Sequence, residues 1–235
     1  MNFNHGQIKN IVNYDQADKI RRALIMTAVP AEREAVLRGL KNDRRADVML
    51  AGVGPVSAAV KTVKILSAAN DKYDLVVCLG IGGGFPGKAE VGSLVAANEI
   101  IAADLGVETS VGFSSLDELG FGCTRIRVEA SLLKDLQEAL LAANLPLKIG
   151  PVLTVSTVTG TVESAAALVG RVPEAAAEAM EGYGVALAAR ELGLPILELR
   201  AVSNLVGPRD RASWRIKEAL EVLEAASSVL LEVLA

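Results

Sequence analysis

Residues 179 to 204 read Ala179-Met-Glu-Gly-Tyr-Gly-Val-Ala-Leu-Ala-Ala-Arg-Glu-Leu-Gly-Leu-Pro-Ile-Leu-Glu-Leu-Arg-Ala-Val-Ser-Asn204. A short helix is predicted from Gly184 to Leu192, stopped by Gly193 with Pro195 just beyond. A buried strand follows, Ile196 to Val202, and ends in the polar pair Ser203-Asn204. In an α/β sheet the opening of such a helix lies near the carboxyl end of the strand, where these sheets hold small molecules. Glu181 and Asn204 stand at the two ends of this apolar unit, so both are read as facing a ligand.

The rest of the chain fits that layered picture. Its 235 residues are 51% apolar but only 3% aromatic. A core of Ala, Val, Leu and Ile suits parallel strands covered by helices on both faces, and the length suits one domain. A net charge of −4 without basic clusters argues against nucleic-acid or anionic-membrane partners. Cys78 and Cys123 offer neither a disulfide framework nor metal-ligand spacing, and the single histidine, His5, lies in a polar extension spanning residues 1 to 21. A histidine triad, a metal and an organic cofactor are therefore not expected. With no signal peptide and no membrane-length apolar run, the expectation is a cytoplasmic protein.

Reading onward from residue 22, a strand at Ala23–Ala28 leads to a helix at Ala31–Leu40 opened by Pro30. A strand at Val48–Ala51, the turn Gly52-Val-Gly-Pro55 and a helix at Val56–Ala69 come next, with Val60, Val63 and Leu66 assigned to one apolar face. Further strands are predicted at Asp74–Gly80, Ser93–Ala103, Arg125–Val128 and Pro151–Thr157. Residues 104 to 122 read as a long irregular stretch. Helices are expected at Ser131–Ala143 capped by Ser131, at Ser164–Val169 and at Ser213–Leu234. Ala175–Met180 is placed in a strand despite its alanines.

Two glycine motifs need weighing. Gly82-Gly-Gly84-Phe-Pro-Gly87 fits G-x-G-x-x-G, and Gly82 to Ala89 nearly makes a phosphate loop. Both motifs need a helix directly after the loop. Pro86, Gly87 and Gly92 break any such helix, and Ala89 has no hydroxyl for a magnesium ion. Bare backbone at Gly82 and Gly83 would instead let a flat ligand approach closely, beside the plainer reading of a tight turn. Gly52-Val-Gly-Pro55 either presents amides to an anion or a water, or is an ordinary turn.

Taken together, Ala28-Val-Pro-Ala-Glu32, Gly52-Val-Gly54, Gly80-Ile-Gly-Gly-Gly84, Ala179-Met-Glu181 and Arg200-Ala-Val-Ser-Asn204 resemble, in this order, the nucleoside phosphorylase and nucleosidase family. The resemblance spans residues 22 to 235. It implies a single α/β domain, a central mixed sheet flanked by helices in three layers, and commonly a homodimer. It also implies a purine riboside substrate whose N-glycosidic bond is broken by water.

In that family the Glu32 position activates the attacking water. Taken alone, Glu32 reads more simply as a first-turn glutamate favoured by the helix dipole. The Glu181 position holds the two ribose hydroxyls, with Met180 against the sugar, and a carboxylate suits that paired acceptance. Relatives acting on 6-amino purines carry Asp where this chain has Asn204. Asparagine offers a donor to the O6 of a 6-oxo base, which favours hypoxanthine as the leaving group. Arg200 matches a family arginine near the water and needs a partner inside so apolar a strand, with Glu32 or Glu198 expected. Thr159, Gly160 and Thr161 fall where relatives contact the base through backbone groups, and Gly160 and Thr161 are carried over as base contacts. Arg209 or Arg211, and Phe113 stacking from the same or a second subunit, are candidates for the 5′ substituent. Ile81 stands where relatives often have Ser, which removes a hydroxyl near the water and weakens a phosphorylase reading. A methylthioadenosine-type nucleosidase, a phosphate-dependent phosphorylase and a non-catalytic purine-binding module remain the rivals.

Overall fold

The computed structural model describes residues 22–110, 112–230 and 232. The polar extension at residues 1 to 21 and the end of the expected last helix lie outside them. The chain runs β1 (Ala23–Thr27), α1 (Pro30–Leu40), β2 (Ala46–Leu50), α2 (Pro55–Ala68), β3 (Leu75–Gly84) and β4 (Leu94–Ala102). It continues through β5 (Gly106–Thr109), β6 (Gly112–Ser115), β7 (Arg125–Arg127), α3 (Ala130–Ala142), β8 (Leu147–Thr154) and α4 (Val162–Arg171). The last elements are β9 (Ala177–Ala179), α5 (Gly182–Glu191), β10 (Ile196–Leu205) and α6 (Ile216–Leu230). The domain is α/β, with a mixed central sheet flanked by helices. Helix α1 packs on α6, and α2 on α5.

Strand β3 organises the sheet. Its apolar half, from Leu75 to Cys78, pairs parallel with β1, while its glycine half leaves β1 and pairs antiparallel with β9 at Gly83 and Gly84. Along its other edge β3 runs parallel to β10 from Val76 to Gly84. Because β10 also pairs with β4, β4 with β8 and β8 with β9, five strands close into a ring. The layered reading of the sequence did not contain this closure. A crevice opens where β1 and β9 part, over the glycine half of β3.

Several elements differ from expectation for identifiable reasons. Strand β3 continues through Gly80–Gly84 instead of ending before a loop, because β9 and β10 supply its ladder partners. Residues 104 to 122 are not wholly irregular, since β5 and β6 form a hairpin. Ser131 does not cap α3, which begins at Ala130 after Glu129. Strand β8 starts at Leu147, and α4 starts at Val162 because Thr161 accepts a hydrogen bond from the Ser164 amide as its cap. On α2, Val60 and Val63 face outward, and the buried positions are Ala58, Thr62 and Leu66. Periodicity located an apolar stripe there but could not say which side of the helix packs against α5.

At the edge of the sheet, Asp47 on β2 receives Arg22, Lys72 and the Tyr73 hydroxyl. Partial burial would raise its pKa, but these three donors outweigh burial and hold it at about 2. A carboxylate depressed in the folded state adds stability above its unfolded pKa, and that stability is lost as pH falls through the folded value. Asp47→Asn is expected to lower unfolding free energy by about 1–2 kcal/mol at neutral pH, after allowance for solvent screening. Urea titrations should show the gap from wild type narrowing as pH drops from about 4 towards 2.

Candidate active site

A cavity of about 250 Å³ fills the crevice over the glycine half of β3. Glu32, Glu181 and Asn204 all line it, although 172 positions separate the first from the last. Each is delivered by the end of an element. Glu32 sits in the first turn of α1, directly after β1; Glu181 precedes α5, directly after β9; Asn204 is near the end of β10.

The Glu32 carboxylate is buried and turned back over the end of β1. One oxygen accepts the Ala28 and Val29 amides at 2.8 and 3.2 Å, and the other accepts the Ile81 amide at 2.9 Å. Burial raises its pKa, while Arg200 and the three amides pull in the opposite direction, and burial prevails. The result is a fixed carboxylate more basic than an exposed one. Ile81 therefore contributes to the site through its backbone amide.

Arg200 lies beneath the cavity rather than in its wall, and is 1% exposed. Its Nε donates to Glu198 at 2.9 Å, Nη1 to Glu181 at 3.3 Å and Nη2 to the Cys78 sulfur at 3.1 Å. Burial works against its charge, but Cys78, Glu198, Glu181 and Glu32 together more than restore it, so the guanidinium stays protonated. Burial pushes the Glu198 pKa up as well, with Arg200 opposing. One guanidinium thus faces three acidic side chains, and the cavity floor favours a cationic guest. Glu181 also accepts the Gly54 amide at 3.2 Å, so the Gly52-Val-Gly-Pro55 turn spends that amide on a carboxylate.

Gly80 makes this cluster possible. It is the register partner of Arg200, and a Cβ there would sit 2.6 Å from Arg200 Nη1 and 2.7 Å from Glu32 Oε1.

At the other end of the cavity, Asn204 Oδ1 accepts the Ser203 hydroxyl at 2.8 Å and Nδ2 donates to Leu205 O at 3.0 Å. One amide hydrogen is left for a ligand. Met180, Gly82, Gly83 and Arg209 also line the cavity, and Arg209 lies over the Trp214 ring at its mouth. Gly160 and Thr161 do not line it; Thr159 and Val158 do. Phe113 is elsewhere, stacked on Arg171 beside a separate hollow.

Among the cavity residues that the sequence reading passed over, one is aromatic and one is charged. Trp214 is the only tryptophan in an aromatic-poor chain, which was the available signal. Glu178 is 5% exposed and accepts both the amide and the hydroxyl of Thr159. It sits in the alanine-rich segment Ala175–Met180, where nothing local marks it as ligand-facing.

A family model described as the phosphorylase superfamily matches residues 16–235. A futalosine hydrolase of Streptomyces coelicolor is 50% identical over 229 residues, covering 90% of this chain and 95% of its own. Another, from Acidothermus cellulolyticus, is 43% identical over 222 residues, covering 89% and 90%. A solved futalosine hydrolase of Helicobacter pylori superposes with a TM-score of 0.76 at 19% identity, over 92% of this chain and 97% of that one, a likeness of fold.

Gly80→Ala should separate Glu32 from Arg200. The overpacking is expected to lower unfolding free energy by about 1–3 kcal/mol. Misplacing a reacting group by an ångström costs on the order of 100-fold in rate, so kcat should fall by about that factor while the circular dichroism spectrum keeps its native shape.

Proposed function

Because this chain belongs to the phosphorylase superfamily, we propose that it hydrolyses the N-glycosidic bond of futalosine, releasing hypoxanthine and dehypoxanthinyl futalosine in the alternative route to menaquinone. The close relatives support this reading. So do the segments Ala28-Val-Pro-Ala-Glu32, Thr154-Val-Ser-Thr-Val-Thr-Gly160 and Ser203-Asn-Leu-Val-Gly-Pro-Arg-Asp-Arg211, which in sequence already look most like futalosine hydrolase. The observation that carries the reading is the convergence of Glu32, Glu181 and Asn204 on one cavity.

Glu32 takes a proton from the attacking water. Its raised pKa suits a general base working near neutrality. Glu181 accepts the two ribose hydroxyls with Met180 against the sugar. As the glycosidic bond lengthens, positive charge grows on the sugar, and the acidic floor around Arg200 stabilises it. Asn204 gives a hydrogen bond from its remaining amide hydrogen to the departing hypoxanthine, which leaves with the electron pair of the glycosidic bond and takes its proton from solvent water. Arg200 holds Glu181 in place and acts on the substrate through that carboxylate. At the mouth, Arg209 backed by Trp214 meets the carboxylate of the 5′ substituent. No metal or organic cofactor enters these steps.

The working unit in this reading is a cytoplasmic homodimer. Val53, Val56, Val60 and Val63 present an exposed apolar face, and Val53 also lines the cavity. Large exposed apolar patches mark association surfaces. Phe113 does not reach the cavity of its own chain, so it fits the stacking role only from a second copy.

Incubation with futalosine should release hypoxanthine at a rate independent of phosphate, leaving a free sugar; a sugar 1-phosphate would reject hydrolysis. Glu32→Gln should lower kcat by about 10²–10⁴-fold. The acid limb of wild-type kcat/KM should lie above the ordinary carboxylate range, and Gln should abolish it. In light scattering, a Val56→Asp, Val60→Asp double variant should run as a monomer, whereas an unchanged mass would remove this face as the contact.

A further inference from the structure

Glu178 is a buried acid in the cavity wall to which the steps above assign nothing. Its position is set by register. On β3, Gly83 pairs with Glu178 of β9 on one side and with Asn204 of β10 on the other. Register partners on neighbouring strands project from the same face of a sheet. Glu178 and Asn204 therefore stand on either side of Gly83, two strand spacings or roughly 10 Å apart, and the Val206 side chain packs on Gly83 between them. That gap has the width of a planar bicycle lying over the Val206 side chain with a hydrogen bond at each edge.

The chemistry of the two flanking groups is complementary. Asn204 has an amide hydrogen to give. The Glu178 carboxylate takes one hydrogen bond on each oxygen, both from Thr159, with the amide at 2.9 Å. An ionised carboxylate accepts about four, so two lone pairs remain. A 6-oxo purine presents acceptors, O6 and N7, along one edge and a single donor, N1–H, on the adjoining one. A 6-amino purine has a lone pair at N1 instead. We propose that Glu178 determines specificity for the base: its carboxylate accepts N1–H of a 6-oxo purine whose O6 and N7 edge is held by Asn204.

This inference rests on the hypoxanthine reading above and deepens it. Two residues then read the base, and Glu178 adds discrimination at N1 to that of Asn204 at O6. The Asn204 amide is held with a hydrogen towards the cavity, and an ionised carboxylate can only accept. Placed against the bare N1 of a 6-amino purine, it would leave two lone pairs facing each other, and sites built to pair with a substrate N–H reject analogues that lack it strongly. Thr159 keeps the carboxylate aimed and ties the Val158–Thr159 segment to β9.

The test compares hypoxanthine, 1-methylhypoxanthine and adenine binding by calorimetry at slightly alkaline pH, with the full-length wild type and Glu178→Gln. Glutamine still accepts the Thr159 amide and can donate to a bare N1. Wild type should bind hypoxanthine at least about tenfold more tightly than the other two, the lower range for a hydrogen bond to a charged group. In Glu178→Gln the ratio of hypoxanthine to adenine affinity should fall by about 10–100-fold, which loss of a purely structural acid would not cause. Equal wild-type affinity for hypoxanthine and 1-methylhypoxanthine overturns the proposal, and this arm decides the matter if the variant does not fold. An unchanged ratio in a folded variant also overturns it. Wild type that binds no hypoxanthine, or prefers adenine, overturns the hypoxanthine reading itself and this inference with it.

Discussion

A guanidinium shut away from water among acidic side chains is the constraint on which the rest of the site depends. Arg200 is buried on a central strand, and Glu198 and Glu181 hold it through direct ion pairs while Glu32 faces it across Gly80. Breaking such a buried pair from one side leaves an uncompensated charge and costs about 3–5 kcal/mol. The cluster therefore fixes its members in place. Glu181 is anchored from below by Arg200 and from the side by the Gly54 amide, which leaves it little freedom to turn away from the cavity. Positioning of this kind lets a carboxylate meet a growing positive charge without first reorganising.

The room for this cluster comes from the backbone of β3. Its first half is an apolar strand shared with β1, and its second half is nearly all glycine, shared with β9. Where the strand changes partners, the ends of β1 and β9 separate, and the loops that follow them carry Glu32 and Glu181. Glycine serves both ends of the crevice. At Gly80 the missing Cβ lets Arg200 and Glu32 approach each other; at Gly83 it lets Val206 pack against the strand between Glu178 and Asn204. The polar groups thus fall into two sets, an acidic one around Arg200 and a mixed donor and acceptor pair around Gly83, and apolar side chains such as Met180 and Val206 line the cavity with them.

Burial also sorts the acids by chemistry. Glu32 and Glu178 are both raised by desolvation, yet each is restrained by hydrogen-bond donors, amides for the first and Thr159 for the second. Glu198, deeper still, serves Arg200 alone. Three glutamates of the same residue type are thus suited to accepting a proton, reading a base and holding a cation, according to what surrounds each.

Much of this was legible in the one-dimensional chain. The Gly193 and Pro195 punctuation after α5, the apolar run of β10 and the proline opening α1 are local physics, and local signals place elements to within a few residues. The family pattern carried Glu32, Glu181 and Asn204 as a set, because each sits at the edge of an element whose sequence is itself distinctive. Other features depended on contacts between distant segments. The sequence groups Val60, Val63 and Leu66 on one apolar face of α2, and the docking of α2 on α5 buries Leu66 but leaves both valines outward. The glycine run read as a loop became a strand because β9 and β10 lie beside it. Glu178, inside a three-residue strand, is a polar letter with no local signature; its place opposite Asn204 exists only through the pairing of each with Gly83. The sequence determined which segments become helix or strand and which polar residues end them, since both follow from neighbours a few residues apart. The tertiary structure alone decided which of those residues share a cavity, because strand register joins positions that the chain keeps far apart.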